Sequence, residues 1–407
     1  MGFQQGLSGL NAASKNLDVI GNNVANANTI GFKGQRAEFG DMYANSLLGS
    51  SQTIPGIGVR TAAITQQFGQ GNISVTSNPL DIAINGNGFF RLENNGVVTY
   101  SRNGQFQVDK DQYLVTASGQ HVTGFVADAG GSITADAPGR LRLSTTAMAP
   151  AVTTKSTIKG NFDSREDTIP NTPFNPVDST TYNGASGMTV YDDLGNSHAV
   201  QLYFARPDPT TSDWQVYAVE NGSTLNGGTA IGTLSFSNGL LSSTATTNFT
   251  VPVPAANGAG AFSFDIDFAG STQFGASTAM TAITQDGYAP GTLAGFSIGN
   301  DGTISGRYSN GQTKAQGRIV LTDFANPQGL ASLGNNQWAE TTASGQPVTG
   351  TAGTGNFGTM QSAALEEANV DLTNELVNMI TAQRAYQANA QTVKTMDSML
   401  QTLVNMR

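Results

Sequence analysis

The sequence predicts an α+β, multidomain protein: N- and C-terminal helices paired as a coiled-coil-like core domain, with mainly antiparallel β domains in the middle. Three observations predict it. Apolar residues recur every seven positions at both chain ends, a spacing that keeps one helical stripe facing a partner. In the interior the apolar period falls to two, which lines one face of a strand. Asn-Gly and Asp-Gly pairs punctuate that alternation, and such pairs favour tight hairpin turns. At 407 residues, the chain is also too long for a single undivided core.

The N-terminal repeat runs Phe3, Leu10, Leu17 and Val24, with Leu7 and Ala13 on the same side. A helix over residues 3–25 would be about 33 Å long. It runs into Asn22, Asn23, Asn26, Asn28 and Gly31, residue types that accept the left-handed conformation closing a helix.

The C-terminal repeat is stronger. Leu372, Met379, Tyr386, Val393 and Leu400 are spaced by seven, with Leu376 and Val404 four beyond two of them. Asp371 stands at the N-cap position, where a carboxylate accepts from unpaired backbone N–H groups. Glu366, Glu367, Asp371 and Glu375 cluster at this start, and Arg384, Lys394 and Arg407 follow. That polarity matches the helix macrodipole. A helix over 372–405 would span about 50 Å, and its stripe needs something to pack on. Asn378, Gln383, Gln387, Asn389 and Gln391 would give it an outward face that is polar but uncharged.

Between the ends, Phe262, Phe264, Ile266 and Phe268 share a strand face opposite Ser263, Asp265 and Asp267. Val200, Leu202 and Phe204 alternate likewise, as do Trp214, Val216 and Ala218. Turn signals fall at Asn95-Gly96, Asn103-Gly104, Gly195-Asn196, Asn238-Gly239, Asp301-Gly302 and Asn310-Gly311. Boundaries are expected near 145 and 285, and 41–58 reads as an extended or loop-like stretch.

Motifs that could carry chemistry have plainer readings. Gly86-x-Gly88 lacks the third Gly and the following helix of a phosphate loop, so it reads as strand, tight turn, strand. His198 lies near Asp192, Asp193 and Ser197. All sit in one hairpin, unlike a triad assembled from separate elements, and the expectation is a solvated turn. His121 reads as a half-buried strand residue. Asp265 and Asp267 read as a strand's polar face rather than a Ca²⁺ site.

Composition narrows the classes further. Lys plus Arg number 19 against 29 Asp plus Glu, a net charge of −10, which argues against sequence-independent nucleic-acid binding. Without Cys there is no disulfide framework, thiolate zinc site, iron–sulfur cluster or Cys nucleophile. No catalytic, cofactor or metal residues are expected, and hence no enzyme. No apolar run approaches the roughly 20 residues of a membrane-spanning helix, so membrane insertion is not expected. The N-terminal residues lack the pattern of a secretory signal, which by itself suggests a cytosolic protein.

Four motifs in order change that last reading. Residues 9–33 (GLNAASKNLDVIGNNVANANTIGFK), 56–59 (GIGV) with 78–90 (NPLDIAINGNGFF), 100–106 (YSRNGQF) and 367–390 (EANVDLTNELVNMITAQRAYQANA) together resemble the bacterial flagellar rod and hook axial proteins. The β insert over 145–284 and the segment 353–358 (GTGNFG) resemble the hook branch of that family.

The resemblance implies a subunit of a curved hollow tube outside the cell. That tube joins rod to filament and transmits motor torque as a universal joint. Four regions are then expected. Residues 1–30 with 365–407 form the inner tube, and 31–70 with 359–364 an extended connection. Residues 71–144 with 285–358 form one β domain, and 145–284 an outer one. Self-assembly would rest on Phe3, Leu7, Leu10, Leu17, Val24, Leu372, Leu376, Met379, Tyr386, Val393, Leu400 and Val404. The channel face would carry Asn378, Gln383, Gln387, Asn389 and Gln391. Implied partners are other copies, the distal rod protein, hook–filament junction proteins, the hook cap during assembly and the flagellar type III export apparatus. Export through that apparatus needs no cleavable signal peptide. The alternatives are a distal-rod-type axial protein, an extracellular β-rich adhesin or a secreted hydrolase.

Overall fold

The structure, a computed structural model, describes residues 2–42, 56–169, 173–242 and 246–405. Most of the expected loop over 41–58, and Arg407, lie outside the described residues. Helix α1 spans Gly2–Ala25 and helix α2 spans Leu372–Asn405. Asp371 caps α2: its Oδ1 accepts from the Thr373 and Asn374 amides at 2.8 and 3.2 Å. The chain leaves α1 through its Asn-rich segment and turns at Gly31, whose φ is +68°.

Two compact units hold the chain. Unit 1 comprises Met1–Thr145, Gly295–Arg307 and Thr313–Arg407, and unit 2 comprises Thr146–Ala294 and Tyr308–Gln312. The expected boundary at 285 is therefore displaced: residues 285–294 and 308–312 belong with unit 2. Backbone bridges tie Met148 to Gly291 and Ala151 to Tyr288. Asn310 adds a 2.8 Å hydrogen bond from its amide to the Ala289 carbonyl.

In unit 1, strands β1 (Gln35–Met42) and β2 (Gly58–Gln66) form an antiparallel ribbon. Strand β3 (Ile73–Val75) pairs with Ala364–Glu366, and Ile82–Asn85 pairs with Thr359–Ser362. The C-terminal segment is thus woven between early strands before α2 begins. A twelve-stranded sheet carries the rest of this unit among the described residues. Its main core gathers Ile82, Phe90, Leu92, Ile319 and Leu321, and a second cluster gathers Phe89, Tyr100, Phe324 and Trp338.

Unit 2 is an eleven-stranded sheet among the described residues. Its core holds Phe204, Trp214, Phe264 and Phe268, on the faces the alternation predicts, together with Phe162. Pairing is antiparallel with two exceptions: Lys155–Asp163 runs parallel to Phe262–Asp267 and to Thr272–Phe274.

Asn95 and Gly96 make a two-residue turn with φ of 49° and 84°, and Asn238 and Gly239 another with 54° and 79°. Such left-handed pairs match the twist of a hairpin. Asn103-Gly104 differs. A Cβ on Gly104 would lie 1.7 Å from the Ile82 carbonyl oxygen, so this glycine serves a close backbone approach rather than a hairpin.

Candidate self-assembly surface

The two helices pair antiparallel. A Cβ on Gly6 would meet Val393 Cγ2 at 3.0 Å, and one on Gly9 would meet Asn389 Oδ1 at 2.7 Å. At the other end Asn23 Nδ2 donates to Glu375 Oε1 at 3.2 Å. On α1 the buried positions are Gly6, Ala13 and Ile20, seven apart, together with Val19 and Asn23. On α2 the facing stripe is Glu375, Ala382, Asn389 and Met396, seven apart, with Met379 and Val393 between. The heptad is real, but small residues on α1 supply its contact surface.

The large apolar residues expected at the interface are distributed differently. Leu10, Leu17, Val24, Met379 and Val393 are half-buried. Phe3, Leu7, Leu372, Leu376 and Tyr386 remain exposed in the single chain, and so do Leu400 at 56% and Val404 at 74%. Helix α2 has 34 residues and α1 has 24, so α2 runs on past the start of α1. Val377 and Ile380 are also exposed, and Leu376 and Ile380, one turn apart, form an apolar strip with Val377 on the α2 surface.

Among the residues expected to face outward, Gln383, Gln387 and Gln391 are exposed and share the α2 face turned away from α1. Asn378 is exposed and borders a cleft of about 550 Å³ between α1, β1 and the start of α2. Asn389 departs from the expectation: it is half-buried against Gly9, because a polar amide fits the gap that glycine leaves.

Helix α1 is fixed to the ribbon by its own side chains. Gln5 Nε2 donates to the Gly56 carbonyl at 2.5 Å, and Ser8 Oγ accepts from the Val59 amide at 3.3 Å. Asn23 makes a two-way pair with the Gln35 backbone, both bonds 2.8 Å.

Beside this lies a buried ion cluster that sequence reasoning missed. Lys33 Nζ reaches Glu366 Oε1 at 2.6 Å, and Arg102 reaches Glu366 Oε2 at 3.2 Å. Burial lowers the Lys33 ammonium below its ordinary value while Glu366 opposes that shift. Glu366, assigned in sequence to the helix dipole, instead sits fully buried in this cluster. The one available signal was that Lys33 and Glu366 close or adjoin the two terminal motifs.

The remaining candidates have structural partners. His198 is not in a solvated turn: it is buried, with Nδ1 2.5 Å from Glu220 and Nε2 3.2 Å from Asp192. Asp265 Oδ1 accepts from Thr250, and Asp267 Oδ1 accepts from the Ala269 amide. His121 is half-buried at a strand start, its ring against Tyr113. Gly86 and Gly88 link Ile82–Asn85 to Phe89–Asn94 as strand, turn and strand.

Comparison with known proteins bears on this geometry. Residues 3–33 match a family profile described as flagella basal body rod protein, and 83–160 match flagellar hook protein FlgE/F/G D1 domain. Residues 161–288 match flagellar basal body protein FlaE D2 domain, and 361–406 match flagellar basal body rod FlgEFG protein C-terminal. The flagellar hook protein FlgE of Salmonella typhimurium is 46% identical over 415 residues, covering 100% of both chains. That of Escherichia coli K12 is 45% identical over 413 residues, again covering 100% of both. That of Borreliella burgdorferi is 34% identical, over 99% of this chain and 98% of its own. Among solved structures, the Helicobacter pylori flagellar hook protein FlgE2 aligns with a TM-score of 0.55 at 16% identity. It covers 72% of this chain and 100% of that one, a likeness of fold.

Proposed function

The chain belongs to the flagellar hook protein family and is a structural subunit of the flagellar hook, and from that premise we propose how its parts divide the work. Copies associate through α1 and α2, which form the inner tube. The ribbon and the strands over 359–364 connect the helices to the β domains, which build the outer layers. The assembled tube is hollow and curved, joins rod to filament and passes torque around a bend. Its partners are the distal rod protein, the junction proteins, the hook cap and the export apparatus. The subunit works outside the cell as a structural element. Gln383, Gln387 and Gln391 face the channel, where an uncharged polar wall would not trap unfolded cargo of either sign.

One observation carries this reading. A single chain leaves Leu376, Val377 and Ile380 exposed together on α2, with Leu400 and Val404 exposed further along the same helix, and exposed apolar surface of that kind marks an interaction site. In the polymer, neighbouring copies cover it.

Electron microscopy of concentrated purified protein tests it. Hollow curved tubes are expected. Leu376→Asp with Ile380→Asp should abolish them by burying charge at the contacts, while the β domains keep their fold. Straight tubes would favour the distal-rod alternative, and a persistent monomer would refute assembly through this surface.

A further inference from the structure

Within this cluster one fully buried carboxylate faces two buried cations, and Asp323 adds only a weaker attraction to Arg102. Glu366 and Lys33 are fully buried and Arg102 is nearly so. One carboxylate therefore serves two cations. Its Oε1 accepts from Lys33 Nζ and from the Gly71 amide, the latter at 2.9 Å. Its Oε2 accepts from Arg102. Lys33 also donates to the Gly69 carbonyl at 2.8 Å, and Arg102 to the Gly86 carbonyl at 2.9 Å. The Arg102 guanidinium lies 5.2 Å from the centre of the Phe89 ring. Lys33 and Glu366 are 333 residues apart in the chain.

Without Glu366, two like charges would be buried together with no anion bridging them. An unpaired buried charge is strongly unfavourable, and a second of the same sign adds repulsion. The segments around Lys33 and Arg102 are nonetheless packed tightly. A Cβ on Gly31 would lie 2.6 Å from the Asn103 backbone nitrogen.

The strand bearing Glu366 closes this site along its whole length. The Gly31 amide donates to the Glu366 carbonyl, and the Glu367 amide to the Asn72 carbonyl, both at 2.8 Å. Asn369 accepts from the Gly34 amide and donates to the Gln67 and Gly69 carbonyls. A Cβ on Gly71 would lie 2.0 Å from the Glu367 carbonyl oxygen. Packing this close leaves no room for a half-inserted strand.

We propose that Lys33, Arg102 and Glu366 form a folding gate. The two cations hold the base of unit 1 open until the C-terminal segment delivers the carboxylate that bridges them. Helices α1 and α2 are then fixed to the β domain in one event, and only in a completed chain. A purely apolar seam would close over any greasy segment. The need for a carboxylate selects residues 364–371 from a chain whose termini are both apolar-striped.

Hydrogen exchange on three full-length variants tests the gate. Glu366→Gln keeps the side-chain shape and leaves two cations facing each other. Lys33→Met leaves one cation paired with one carboxylate. Lys33→Met with Glu366→Gln leaves one cation. In Glu366→Gln, residues 31–34, 67–75 and 364–370 should exchange at least about a hundredfold faster than in the parent. Lys33→Met should fall well short of that, and the double variant should exchange more slowly than Glu366→Gln alone. A double variant as fast as or faster than the single would overturn the gate, because Glu366 would then act through hydrogen bonding alone. So would a Glu366→Gln chain that exchanges like the parent. Should Glu366→Gln leave unit 1 unfolded, a folded double variant supports the gate and an unfolded one refutes it. Pulse-labelled refolding of the parent reads the order. Residues 31–34 and 364–370 should gain protection in one step, and earlier protection of 31–34 would also overturn the proposal.

Discussion

A single imidazole, His198, lies between two carboxylates inside unit 2, with the Phe262 ring 5.6 Å away. Burial by itself would lower its pKa, but the bonds to Glu220 and Asp192 more than offset this, and the value lies above its ordinary 6.5. The folded chain therefore holds this proton more tightly than the unfolded chain. The resulting stability is fully present below about pH 6.5 and is lost as pH climbs through the raised value. Asp192 behaves oppositely. Its burial would raise it, yet bonds from Asn196, His198 and Leu194 hold it at about 2, so its contribution fails only in strong acid. In a Trp338→Phe background, urea denaturation followed by Trp214 emission should show a midpoint that falls as pH rises above about 6.5. His198→Gln should remove that slope, and an unchanged slope in the variant would reject the assignment. In the sequence, Asp192 was visible six residues from His198, but Glu220 stands on a different strand, 22 residues away. Nothing local pointed to it, so a buried ion cluster read as a solvated loop.

At the scale of elements, alternation made the strands legible because one face of each must be apolar. Phe264, Ile266 and Phe268 are buried where the period of two puts them. The helices were equally legible as helices, but the face that joins them was legible only in part, at Ala13, Met379 and Val393. Hydrophobic periodicity weights large side chains, while α1 meets α2 also through Gly6 and Gly9, which give almost no such signal. Small residues on α1 let the two helix backbones approach closely, while Phe3 and Leu7 of α1 stay exposed. Gly6→Leu with Gly9→Leu should therefore weaken the pairing by about 1–3 kcal/mol through overpacking against Val393 and Asn389. Faster amide exchange along α2 would register it. Phe3→Ala, on an exposed position, should leave that exchange unchanged. Equal effects from the two changes would mean that the large residues govern the pairing after all.

At the scale of the whole molecule, each unit has its own core and one of the chain's two Trp residues. Trp214 is fully buried in unit 2, and its indole N–H has no acceptor among the described residues. Trp214→Phe consequently removes an unsatisfied donor and should be tolerated well. Trp338, buried in unit 1, donates to Gln66 at 2.5 Å and packs edge-on against Phe68 and Phe89. A Trp214→Phe chain thus reports unit 1 through Trp338 alone. Two separate cores imply two cooperative transitions rather than one. In that background Phe89→Ala should lower the stability read by Trp338 by about 3–5 kcal/mol. Phe162→Ala, which opens the core of unit 2 beside position 214, should leave the Trp338 transition in place while shifting the other one seen by circular dichroism. A common shift would mean that the chain unfolds as a single body. The sequence placed one division near 145 but set the other near 285, at the stretch 284–291 (TQDGYAPG). The bridges from 148 and 151 show why that stretch stays with unit 2: its backbone is paired, and paired backbone does not act as a hinge.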